Sequence, residues 1–135
     1  MATRQQARMA VVSLLYAHDL GNGNSELHTD EILEEKKIRN KQKEFALELY
    51  NGTLENLQKI DEAIAKHLKE WEFDRLGAIE RATLRLGAYE ILSSGLDSAV
   101  VINEAVEITK SFGSEQSPKF INGVLDSIAK DEELK

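Results

Sequence analysis

Apolar residues recur at three- and four-residue steps along nearly the whole of this chain, and a single proline, Pro118, interrupts its 135 residues. That spacing lays one apolar stripe along each of a series of helices, and no alternating β-branched run is long enough to suggest a strand. The expected fold class is all-α. The first helix is predicted from Thr3 to Leu20, stopped by Gly21-Asn22-Gly23-Asn24, where glycine accommodates the left-handed turn that ends helices. A short helix over Glu31 to Arg39, capped by Thr29 or Asp30, is followed by a long one over Lys41 to Glu70, in which Gly52 is expected to introduce a bend. After a change of direction at Trp71 to Asp74, a central helix spans Arg75 to Ser93, apolar on all but a narrow strip. Ser98 is expected to cap a helix over Ala99 to Phe112. Ser117 and Pro118 then open a last one to about Lys130, leaving Asp131 to Lys135 frayed.

These elements divide near Trp71 into an N-terminal half, residues 1–71, and a C-terminal half, residues 72–135, which must pack on each other because neither is long enough alone. At 15.2 kDa and 41% hydrophobic residues the chain fits one domain. With no cysteine it holds no disulfide framework, thiolate metal site or cysteine nucleophile, so a cytoplasmic location is the default. Arg, Gln, Ser and His interrupt the apolar residues of the first twenty positions, which therefore read neither as a signal peptide nor as a membrane span.

His18, His28 and His67 lie far apart, no glycine motif cradles a phosphate, and the carboxylates alternate with lysines at surface ion-pair spacing. Neither a metal, a cofactor nor an enzymatic activity is expected. A net charge of −7 argues against a protein that coats nucleic acid by bulk attraction, so any RNA contact must be local. One local zone is Arg4 and Arg8, four residues apart and thus roughly 5–6 Å between Cβ atoms on one helix face. They fit either successive phosphates or an exposed helix start, and the pair alone does not choose. A second, Lys36 to Lys43, is read as a solvated face. The sharpest is Gly113 to Phe120, where Lys119 offers a charge and Phe120 a ring at a helix start; Phe120 also fits an inward position with Ile121, Val124 and Leu125. Gly123 is expected to let another helix approach closely.

Three ordered blocks carry a family resemblance: ARMAVVSLLYAHD, IERATLRLGAYEI, and VINEAVEITKSFG with its SPKF turn and INGVLD. They resemble the NusB family of bacterial antitermination factors over almost the whole chain. The resemblance implies two packed helical bundles of about six to seven helices, and binding to single-stranded boxA RNA as a heterodimer with NusE, a small-subunit ribosomal protein. It further implies a place in the RNA polymerase antitermination complex that supports ribosomal RNA synthesis. Carried over by position, the RNA-binding residues are Arg4, Arg8, Gln116, Lys119 and Phe120, and the partner-binding residues are Tyr16 and Glu80. Gln5 and Gln6 stand where the family's arginine-rich motif is usually basic, which implies weaker RNA affinity. The alternative is a protein-only helical module that self-associates as a homodimer. A similar fold also fronts certain ribosomal RNA cytosine methyltransferases, whose catalytic parts this chain is expected to lack.

Overall fold

Thr3 opens the first helix, α1 (Arg4–Asp19), through a reciprocal cap. Its hydroxyl accepts from the Gln6 amide N–H at 3.1 Å, and the Gln6 side-chain oxygen accepts from the Thr3 N–H at 2.9 Å. Two N–H groups that a helix start leaves orphaned are thereby satisfied. The computed structural model describes residues 2–21, 29–69, 72–112 and 117–134, and among these residues all regular structure is helical.

Helix α2 (Thr29–Glu35) stops four residues before the expected Arg39. The Ile38 N–H bonds back to the Leu33 carbonyl at 2.8 Å and the Lys37 N–H to that of Glu34 at 3.0 Å, the two bonds of a Schellman stop. Lys37 takes the left-handed conformation such a stop requires, φ 59, and Ile38 turns back into the core with Leu33.

The single helix expected over Lys41 to Glu70 is two helices, α3 (Asn40–Glu55) and α4 (Leu57–Lys66). Asn56 breaks it, because its side-chain amide donates to the Gly52 carbonyl at 2.8 Å while its backbone leaves the helical region at φ −112 and ψ 19. Gly52 is no bend; its bare backbone receives the Tyr89 ring, which a Cβ there would overlap.

A one-turn helix, α5 (Glu72–Arg75), leads into α6 (Ala78–Ser93), α7 (Ser98–Ser111) and α8 (Ser117–Lys130). Asp97 rather than Ser98 caps α7, its carboxylate accepting from the Ala99 N–H at 3.0 Å. Helix α6 is central and serves two cores: Ala82 and Leu86 join Val11, Leu14 and Leu49, while Leu84 and Ala88 join Ile64, Ile121 and Leu125. Each fully buried Leu or Ile contributes about 1.5–3 kcal/mol relative to exposure, so the shared helix links two substantial stabilising clusters. Ile60 and Ile64 precede the expected Trp71 boundary yet lie in the second core, because the Asn56 break turns α4 toward α6 and α8. Trp71 lies outside the described residues.

Close helix approach occurs at Gly87, where a Cβ would stand 2.8 Å from Leu125 Cδ1, and not at Gly123, which faces open space. Of the tail expected to fray, residues 131–134 are docked, and Lys135 lies outside the described residues. Asp131 pairs with Lys66 at 2.8 Å and His67 at 2.7 Å, and a short 3-10 helix (Glu132–Leu134) brings Leu134 against the second core.

Candidate nucleic-acid interface

Because α1 presents residues four apart on one face, Arg4 and Arg8 both reach the Phe45 ring of α3, with guanidinium carbons 4.6 and 5.1 Å from its centroid. Their fates then diverge. Arg4 is exposed at the helix start, held over the ring with its charge toward solvent. Arg8 is buried and forks onto Glu90 of α6, Nε to Oε2 at 3.0 Å and Nη2 to Oε1 at 2.9 Å. Nε and Nη2 of Arg8 are thus committed to a buried carboxylate, and of the two arginines only Arg4 faces solvent. Glu90 and Phe45 were not singled out in the sequence. The signal for Glu90 was a carboxylate inside an otherwise apolar stretch, whereas Phe45 read simply as one more residue of a core stripe.

Lys119 is exposed and Phe120 half-buried at the start of α8. Phe120 packs against the second core and retains an accessible part, so the inward and outward readings of this ring are both realised. Lys119 lines a shallow groove between α7 and α8 together with Asn103 and Asn122. The first turn of α8 adds main-chain N–H groups favourable to anions. Gln116 lies outside the described residues. Phe112, missed in the sequence reading as the end of a helix, leaves 39% of its surface exposed.

At the other end of α1, Tyr16 is exposed, and Leu20, one turn further on, is more so at 61%. Glu80 sits in the first turn of α6, its carboxylate folded against the bare backbone of Gly77. Asp19 binds Arg81 at 2.8 Å and Arg85 at 3.1 Å, which brings the turns bearing Tyr16 and Glu80 to the same end of the α1–α6 pair. Arg85 also forks onto Asp61 of α4, at 2.8 and 2.9 Å. Burial alone would raise the Asp19 carboxyl, but hydrogen bonds from Arg81 and Arg85 outweigh it and hold its pKa below the ordinary value. This end of the pair is therefore pinned by charge, with an apolar surface of Tyr16 and Leu20 beside it.

Among the described residues no cluster of three or more His, Asp or Glu side chains is arranged to hold a metal, and no helix is long and apolar enough to cross a membrane. The arrangement offers cations and ring edges at two helix starts, and an apolar, charge-stiffened face elsewhere.

Comparison with known proteins agrees across sequence and fold. The model of a family described as the NusB family matches residues 5–130. The transcription antitermination protein NusB of Sulfurimonas denitrificans is 79% identical over 131 residues, spanning 97% of this chain and 99% of that protein. That of Wolinella succinogenes is 61% identical over 131 residues, spanning 97% of each. The fold superposes on T. maritima NusB with a TM-score of 0.88 at 39% identity, covering 96% of this chain and 92% of that one. It also superposes, with a TM-score of 0.84 at 36% identity over 94% of this chain and 96% of that one, on a chain in a crystal structure of antitermination factors NusB and NusE in complex with dsRNA. With nearly every residue matched by the family and by relatives of equal length, this chain belongs to the NusB family.

Proposed function

We propose that this protein is a transcription antitermination factor that binds single-stranded boxA RNA together with NusE, a small-subunit ribosomal protein, in support of ribosomal RNA transcription. The observation that carries the reading is the placing of exposed cations beside aromatic rings at two helix starts, Arg4 over Phe45 and Lys119 next to Phe120, on a chain of net charge −7. Cations positioned for phosphates next to accessible ring edges suit an unstacked strand, since a base must leave its partner to stack on a side chain. A related structure holds NusB and NusE in complex with dsRNA, which supports joint engagement of NusE and RNA here. Tyr16 and Glu80, joined by Leu20, form the face for the protein partner, where rigidity from the Asp19 pairs lowers the ordering cost of binding. Both helical halves act as one RNA-binding unit in the cytoplasm, and the role is binding rather than catalysis. Arg8 acts by positioning: its pair with Glu90 fixes α1 so that Arg4 and Phe45 stay in register.

The test is binding of labelled boxA RNA and of a scrambled RNA of equal composition, in single- and double-stranded form, to the protein alone and with NusE. Selective binding to the single strand that rises sharply with NusE and falls in the Arg4→Ala, Lys119→Ala and Phe120→Ala variants is expected. Equal, weak binding to every RNA with NusE present would leave only a protein-binding helical module.

A further inference from the structure

We propose that the groove between α1 and the α2–α3 turn is a second phosphate-binding surface for the same RNA strand, with Lys36 and Lys37 as its phosphate ligands and Phe112 as a base-stacking platform at its far end. The inference rests on the RNA-binding reading above and extends it to a surface that reading does not use.

The groove holds about 420 Å³ and is lined by Gln6, Lys36, Lys37, Arg39 and Asn40, with Ala2 at its edge. It continues into a second of about 400 Å³ that shares Gln6 and Lys36 and follows α1 past Met9 and Ser13 to Phe112. No carboxylate lines either part. On a chain carrying 24 acids against 17 lysines and arginines, an acid-free channel with three cations at its mouth is a local reversal of sign, and it complements a polyanion. Lys36 and Lys37 have no ion-pair partner among the described residues, and Arg39 pairs only with Glu34, both side chains more than half exposed. Such a pair is readily exchanged for a phosphate.

The backbone supplies an independent argument. The two non-glycine residues with positive φ among the described residues, Lys37 at 59 and Asn40 at 56, both lie in this turn and both line the groove. Asparagine tolerates that conformation and lysine adopts it only at a cost; glycine is the residue a Schellman stop ordinarily takes there. A lysine at a glycine position gives up stability to place a cation on the groove rim, and strain of this kind gathers at ligand-binding positions. Phe112 then favours nucleic acid over an acidic peptide as the occupant: it is a half-exposed ring at the C-terminal end of α7, in line with the cations and preceding the segment that leads to Lys119 and Phe120. A strand laid along this groove from Lys37 to Phe112 would meet charge at one end and a ring at the other.

The experiment measures thermal unfolding, and binding of single-stranded boxA RNA over a salt series, for the full chain with NusE. It compares the wild type with Lys36→Gln, Lys37→Gly, Phe112→Ala and, as a reference for the site already proposed, Arg4→Ala. Lys37→Gly is decisive because its two effects are opposed. It should raise Tm by about 3–5 °C while weakening RNA binding about 3–10-fold and flattening the log–log salt slope by about 0.7. Lys36→Gln should lower affinity and slope by similar amounts with Tm unchanged. Phe112→Ala should weaken binding by roughly tenfold without changing the slope. A Lys37→Gly variant that is more stable but binds RNA as before overturns the proposal, and loss confined to Arg4→Ala would do so while leaving the antitermination reading intact. Weaker binding of NusE, with RNA binding unchanged, assigns the groove to an acidic protein segment and also overturns it. Absence of selective RNA binding by the wild type would remove both readings together.

Discussion

Arg8 and Glu90 meet as a forked ion pair inside the α1–α6 interface, with Nη2 2.9 Å from Oε1 and both side chains at most 5% exposed. Two charges withdrawn from water this completely are each costly unless the other is present, so their value lies in mutual dependence rather than in net stabilisation. Arg8→Ala strands a buried carboxylate and should destabilise the protein by about 3–5 kcal/mol, read as a shift in the denaturant midpoint. Replacing the pair together, Arg8→Met with Glu90→Leu, should recover most of that loss. RNA binding by the double variant should survive through Arg4, because apolar packing at the same place still holds α1 on α6; its disappearance in a folded double variant would show that RNA binding needs the charged pair itself.

The two glutamines of the first turn are not equivalent. Gln5 is exposed, whereas the Gln6 side chain accepts from the Thr3 N–H and completes the cap. Arginine has no acceptor and cannot replace it there. Gln5→Arg should therefore raise RNA affinity about 3–10-fold and steepen the salt slope by about 0.7 with stability unchanged. Gln6→Arg should cost about 0.5–1 kcal/mol of stability. Equal Tm for the two variants would mean that the cap contributes nothing in solution.

Tyr89 lies on the bare backbone of Gly52, and this contact fixes how α3 meets α6. In Gly52→Ala the gain of about 1 kcal/mol in helix propensity is set against an overlap that the Tyr89 ring must shift to relieve, at about 1–3 kcal/mol. A net loss of stability is expected. It should shrink when Tyr89→Ala is added, a non-additivity that a double-mutant cycle measures directly. Additive effects would place the cost elsewhere.

The helical class was legible because it rests on periodicity, and the central α6 because it is apolar on nearly every side, with every residue from Ala82 to Ala88 buried. The breaks were less so. Asn56 ends α3 by a side-chain bond to a carbonyl one turn back, and an asparagine in mid-pattern does not announce whether it will make that bond or face solvent. Lys37 occupies a glycine conformation without being glycine, so α2 seemed to run on to Arg39. At the candidate site, sequence identified the cations but not their environment: Arg4 and Arg8 look alike along the chain, and the distinction comes from Glu90, 82 positions away from Arg8. The capping box of Thr3 and Gln6 lies within one turn and follows the T-x-x-Q order, yet Gln6 read only as a replaced basic position; the box gives it a reason to be glutamine.

The C-terminal segment should respond to acid before the core does. Asp131 bonds to Lys66 at 2.8 Å and to His67 at 2.7 Å; the Lys66 hydrogen bond, opposed by burial and assisted by that from His67, holds its carboxyl down at about 2 against an ordinary 3.8. A carboxylate with a depressed folded pKa contributes stability that is fully present above its unfolded value and lost as pH falls through the folded one. Docking of the 3-10 helix is thus complete above about pH 4 and weakens as pH falls to about 2. Protection of the amides of residues 128–134, taken relative to their intrinsic exchange rates at each pH, should fall over that interval in the wild type and at neutral pH in Asp131→Asn, with α1 and α6 still protected. An Asp131 carboxyl that titrates near 3.8 in a carbon-detected NMR series, with exchange unchanged in the variant, would mean that Leu134 packing alone holds the segment in place.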